Sequence, residues 1–181
     1  MDKKLYLIVE LDENTQSIAM DHYEIIKKDN IIGTQTKDIP YHITLCLYSL
    51  EKEKNIIELL EKINEQFFEI EIHFSGFGLF GLNVLFFNPA MNKELLELYN
   101  FFKDKSLNKY EEFSAHMTLL LDEPENVLKV LPKMTKEFKA FTGKIISLSL
   151  YEFFPKRFIY KINSKTGKIS ERKNNDQKNS A

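Results

Sequence analysis

Apolar and polar positions along this chain alternate in short runs, separated by longer runs spaced three and four apart, and the two periods mark out its elements. "KLYLIVEL" (4–11) is dense in β-forming residues and predicts a first strand. "DENTQSIAMDHYEIIKK" switches to helical spacing, with Asp12 placed to cap it and Ile18, Ile25 and Ile26 on the apolar face. A polar loop with Gly33 and Pro40 spans 29–40, and a strand covers 41–48. "EKEKNIIELLEKINEQF" is an amphipathic helix with Ile56, Leu59, Leu60 and Ile63 on one side. "FFEIEIHFSGFGLF" alternates strictly until Gly76 and Gly78 break it, and "LNVLFF" is a further strand. The helix in "AMNKELLELYNFFKDK" turns Leu95, Leu98, Phe101 and Phe102 inward. "SAHMTLLLD" is a strand, and "PENVLKVLPKMTKEFKAF" is a helix that Pro132 should kink or divide. "GKIISLSLYEFF" and "RFIYKIN" close the pattern as strands, and 164–181 is so poor in apolar residues that it predicts a disordered polar tail.

The order is therefore β-α-β-α-β-β-α-β-α-β-β, with no short-period repeat. One signature does recur. "HITL" (42–45) and "HMTL" (116–119) each open a strand that leads into a helix and then two more strands. The repetition predicts two lobes of similar design, roughly 1–75 and 76–163, within a single domain whose strands cross between them. Residues two apart in a strand share a face, so His42, Thr44 and Cys46 should point one way and Ile43, Leu45 and Leu47 the other. The second strand repeats this, with His116, Thr118 and Leu120 opposite Met117, Leu119 and Leu121. By composition alone, two such His-x-Thr-Leu strings arise in roughly 1 of 5,000 shuffled sequences, which argues against coincidence.

Bulk composition narrows the field. With 181 residues, 43% hydrophobic and 29% charged, the chain is ordinary for a globular domain. No apolar run approaches the roughly 20 residues of a membrane span, and the N-terminal run is too short for a signal peptide, so no membrane role and a cytoplasmic location are expected. A net charge of −2 does not fit a protein that grips long nucleic acid. The single cysteine, Cys46, allows no intrachain disulfide and no cysteine-cluster metal site, and it reads as a small buried residue. No His-Glu-x-x-His string or other metal-ligand spacing occurs, so no metal and no cofactor are expected.

Paired histidines beside hydroxyls suit phosphoryl transfer. One neutral imidazole takes the proton of an attacking oxygen, and a second, protonated one gives a proton to the leaving oxygen. Histidine fits both tasks because its unperturbed pKa is about 6.5. A threonine hydroxyl two residues on can donate to a non-bridging phosphate oxygen.

On "HITL" and "HMTL", with support from "KLYLIVEL", "FSGFGLF" (74–80) and "ISLSLYEF", the chain from residue 4 to about 163 resembles the 2H phosphoesterase superfamily, which includes 2′-5′ RNA ligase-like proteins and cyclic phosphodiesterases. The resemblance implies a bilobal, LigT-like α+β fold: two pseudo-symmetric antiparallel-sheet lobes with outer helices and a central groove. It implies metal-independent hydrolysis at 2′,3′-cyclic phosphate or 2′-5′ linkages of nucleotides or RNA ends. His42 and His116 would be the acid–base pair, and Thr44 and Thr118 would hold the phosphate. Ligase-like members often carry arginine near the position of Leu121 and glycine near that of Ser49, and this chain departs at both. Lys156 and Arg157, between the last two strands, are the candidate substitutes for that charge, and Tyr151 is the candidate to stack on a base. His22 is expected on the surface of the first helix and His73 on a solvated strand face. Besides a cyclic phosphodiesterase, the alternatives are a 2′-5′ RNA ligase, a nucleotide-binding module without turnover, and a protein in which the pairs only stabilise two sheet faces. A monomer is expected.

Overall fold

A computed structural model describes residues 3–36, 38–63, 67, 70–104, 106–107 and 113–163. The polar tail expected over 164–181 lies outside the described residues. The elements are β1 (Lys4–Leu11), α1 (Glu13–Lys27), β2 (His42–Tyr48), α2 (Glu53–Glu61, entered through a 3₁₀ turn), β3 (Glu71–Phe80), β4 (Val84–Pro89), α3 (Lys93–Phe102), β5 (Met117–Leu121), α4 (Pro124–Glu137), β6 (Phe141–Phe153) and β7 (Arg157–Asn163). Their order is the one the periodicity predicts.

All strand pairings are antiparallel, in the order β1-β2-β5-β4-β3-β6-β7, with β1 also bound to β6. The long β6 explains the double entry. Its first residues, Phe141–Lys144, pair with β3, and the remainder lies between β1 and β7. Two four-stranded halves result, β2-β1-β6-β7 and β5-β4-β3-β6. They share β6, and β2 touches β5 at the single register pair Ile43–Met117. Beyond that pair the loop before β2 covers the end of β5. The Thr34 amide and hydroxyl both donate to the Leu121 carbonyl, at 2.7 and 3.0 Å.

Helices pack on the faces that carry the core. Asp12 caps α1 as expected, accepting from the Thr15 amide at 2.8 Å. The buried stripe of α1 is Thr15, Ala19, His22 and Ile26; of the isoleucines expected on it, Ile26 is fully buried, Ile25 packs on the core from its edge and Ile18 is half-buried. His22 is therefore not on the surface. Its Nδ1 lies 2.8 Å from the Ile18 carbonyl, and its ring sits among Phe77, Phe87 and Phe138. In α3, Tyr99 takes the inward place expected of Phe101, which is 38% exposed. Pro132 does not divide α4, which runs unbroken from Pro124 to Glu137 and buries Val127, Val130 and Met134. The carbonyl that proline leaves without a helical donor belongs to Leu128, an exposed residue where water can serve instead. β3 likewise runs through both glycines instead of ending at them.

Candidate active site

The Ile43–Met117 pair sets the geometry of the two signatures. Both side chains are fully buried on the helix-covered face. Their neighbours must point to the opposite face. In an antiparallel pair the register then puts His42 across from Thr118 and Thr44 across from His116. All four side chains are half-buried, while Ile43, Leu45, Met117 and Leu119 are fully buried behind them. The histidines are diagonal neighbours, a relation that spans about 7–8 Å in a regular pair.

Each signature ends in a β-bulge. Across β1 the partner of Leu7 is Cys46 and that of Ile8 is Thr44, so Leu45 is the extra residue. Across β4 the partner of Leu85 is Leu120 and that of Phe86 is Thr118, so Leu119 is the extra residue. The leucine of His-x-Thr-Leu is thus the bulged position in both strands. A bulge shifts the alternation by one. Simple alternation put Cys46 and Leu120 on the histidine face and Leu47 and Leu121 on the core face. The bulges reverse both expectations: Cys46 and Leu120 are fully buried, whereas Leu47 is half-buried and Leu121 is 36% exposed.

The two imidazoles are held alike. His42 Nδ1 is 2.8 Å from the Pro40 carbonyl, and His116 Nδ1 is 2.9 Å from the Ser114 carbonyl. A carbonyl only accepts, so Nδ1 carries the proton in each neutral ring and Nε2 is left as the acceptor. Burial pushes both histidines below their ordinary pKa, and the carbonyl contacts pull partly back. At His42, Glu10 also pulls upward and His116 pushes further down.

Their surroundings differ. His116 stands edge-on to Phe80, with ring centres 4.7 Å apart, and to Phe86 at 5.5 Å. Gly78 lies opposite Phe86 in the β3–β4 ladder and makes room for that ring, since a Cβ there would come within 2.4 Å of it. His42 instead has Glu10 as its partner across β1. Glu10 is only 3% exposed and takes a hydrogen bond from Ser149 Oγ at 2.5 Å and an ion pair from Lys161 Nζ at 2.5 Å.

The other candidates lie further off. Tyr151 is on the same sheet face and pairs with Tyr6, four residues along β1 from Glu10, while its hydroxyl still feels the Glu10 charge. There it joins Ile8 and Phe153 in a small apolar cluster flanked by Tyr6, Ile39 and Phe158. Burial pushes its hydroxyl up to about 12. Lys156 reaches the loop before β2, donating to the Asp38 carbonyl at 2.9 Å. Arg157 is taken up by Glu152 at 2.6 Å and Glu53 at 2.7 Å. The cation that the ladder places near the histidine pair is Lys161. The sequence does hold a signal for Glu10, a lone acid inside an apolar strand. Phe80 and Phe86 need the register of three strands and carry none. His73 is exposed, as expected.

Solved structures share this architecture. Escherichia coli LigT complexed with 3′-AMP superposes with a TM-score of 0.60 at 15% identity, covering 89% of this chain and 96% of LigT. The complex of the same protein with NADP+ gives 0.56 at 16% identity, over 89% and 97% of the two chains. A structure described as a phosphoesterase gives 0.55 at 16% identity, over 90% and 98%. The fold is that of LigT. No protein-family model matches the sequence, and no curated protein is significantly similar to it.

Proposed function

We propose that the chain is a 2H phosphoesterase that opens a 2′,3′-cyclic phosphate, or cuts a 2′-5′ phosphodiester, of a nucleotide or RNA end. One histidine Nε2 takes a proton from water as its oxygen bonds to phosphorus. The other histidine Nε2 protonates the ribose oxygen as its bond to phosphorus breaks. Thr44 and Thr118 donate to the non-bridging oxygens, where charge gathers in the transition state. The observation that carries this reading is the crossed register, with each histidine beside the other strand's threonine and both rings clamped at Nδ1.

LigT complexed with 3′-AMP, NADP+ and ATP supports a nucleotide-sized, phosphate-bearing substrate for the same fold. Arg157 is engaged by two carboxylates, so hydrolysis is favoured over ligation, for which a free cation near Leu121 would be wanted.

The test is a panel assayed in EDTA: 2′,3′-cyclic mononucleotides, RNA with a cyclic-phosphate end, 2′-5′ oligoadenylate and ADP-ribose cyclic phosphate. Turnover of at least one is expected. Tight binding without product across the panel would replace the enzyme with a binding module.

A further inference from the structure

The pseudo-symmetry of the site breaks beside His42. Ile8 faces Thr44 and Phe86 faces Thr118, so two residues on along β1 and β4 the positions next to the histidines are Glu10 and Asn88. One half therefore places a buried carboxylate beside its histidine, and the other places a neutral, exposed amide. Burying a carboxylate costs several kcal/mol unless it is paired, and an apolar pair of similar volume is often as stable. Glu10 and Lys161 thus need a reason beyond stability.

We propose, resting on the phosphoesterase reading, that Glu10, clamped by Lys161 and Ser149, is a positioning residue that makes the histidines unequal: it holds the proton on His42, the general acid, and leaves His116 as general base. The geometry gives each its surroundings. His42 lies across the ladder from a carboxylate, and His116 lies against the edges and faces of Phe80 and Phe86, which offer no charge to an imidazolium partner. The titratable groups on or over the His42 face are Lys4, Tyr6 and Glu10 on β1, His116 before β5, Tyr151 on β6, Lys161 on β7, and Asp38 and Lys156 where the loop before β2 meets the β6–β7 turn. Both tyrosines are pushed up by burial and stay neutral, and the charges that act on His42 itself are Glu10, which favours its proton, and His116, which disfavours it. In the reaction His116 Nε2 takes the water proton, the water oxygen bonds to phosphorus, and the ribose oxygen leaves with the proton of His42 Nε2. A proton exchange with solvent resets the pair.

The experiment is an NMR titration of the His42 and His116 ring protons in the full chain, alongside pH–rate profiles. Glu10→Gln should move the His42 titration down by about one pH unit, and the alkaline limb of kcat/KM with it. Lys161→Met, which removes the cation that competes with His42 for the carboxylate, should move both up. Asn88→Asp should raise His116 and leave His42 unchanged. A merely structural Glu10 would lower the melting temperature without these opposed shifts. His42 titrating identically in the wild type, Glu10→Gln and Lys161→Met would overturn the proposal. Because the titration needs no substrate, opposed shifts with no turnover would uphold the role of Glu10 at His42 while removing the phosphoesterase reading. Turnover with no shifts would do the reverse.

Discussion

At the scale of the residue, the site depends on where two protons sit. A carbonyl two residues upstream fixes each histidine's tautomer, and burial disfavours its charged form. The sign follows directly. A histidine whose imidazolium is disfavoured gives up its proton at a lower pH than the ordinary value near 6.5. An acid–base pair works between its two pKa values, so kcat/KM should trace a bell centred below about pH 6.5. A plateau extending above pH 8 in kcat/KM, measured from pH 4.5 to 9, would mean that burial is not what sets these groups. The residues proposed for this chemistry stand out early, because His-x-Thr-Leu occurs twice on strands of like context. Glu10 was visible only as an oddity, since its meaning depends on which residue faces it across a ladder.

At the scale of the element, the two bulges aim the site. Leu45 and Leu119 each add one residue to a strand, so the positions before them face the groove and those after them turn to the core. Alternation alone cannot show this. A period of two reads correctly as far as Thr44 and Thr118 and is inverted afterwards, which is why Cys46 and Leu120 were expected on the wrong face. The α1 stripe was legible only in part: Ile26 is buried and Ile25 packs on the core as expected, but the core also accepts Thr15 and His22, which hydrophobicity does not mark. Strand β3 supports His116 from the other side, and its glycine is testable. Gly78→Ala would drive a methyl into the Phe86 ring, which itself packs on His116. Overpacking of this kind costs about 1–3 kcal/mol, and displacing a catalytic group by an ångström can cost about 10²-fold in rate. Gly76→Ala, with nothing within 4 Å of its added Cβ, should leave rate and melting temperature near wild type. Equal rates for the two variants would remove Phe86 from the account.

At the scale of the whole molecule, segments distant in sequence hold the groove together. The order of elements was legible throughout, because each period is strong over its own run. The closure of the sheet through β6 was not, since one strand serving three neighbours leaves no local mark. Arg157 belongs to this scale. It ties β6 and β7 to α2 through Glu152 and Glu53. Arg157→Met should therefore lower the melting temperature, because it strips a cation from the buried Glu152, and leave KM for a cyclic nucleotide unchanged. A raised KM at unchanged stability would instead make Arg157 a substrate contact. On the proposed reading His42 and His116 together turn over a phosphodiester without metal. Its most direct test is the hydrolysis rate of a 2′,3′-cyclic mononucleotide in EDTA for the wild type, His42→Asn and His116→Asn. The account predicts turnover by the wild type and a loss of about 10²–10⁴-fold in each variant, with the fold intact. Wild-type rates in both variants would contradict it.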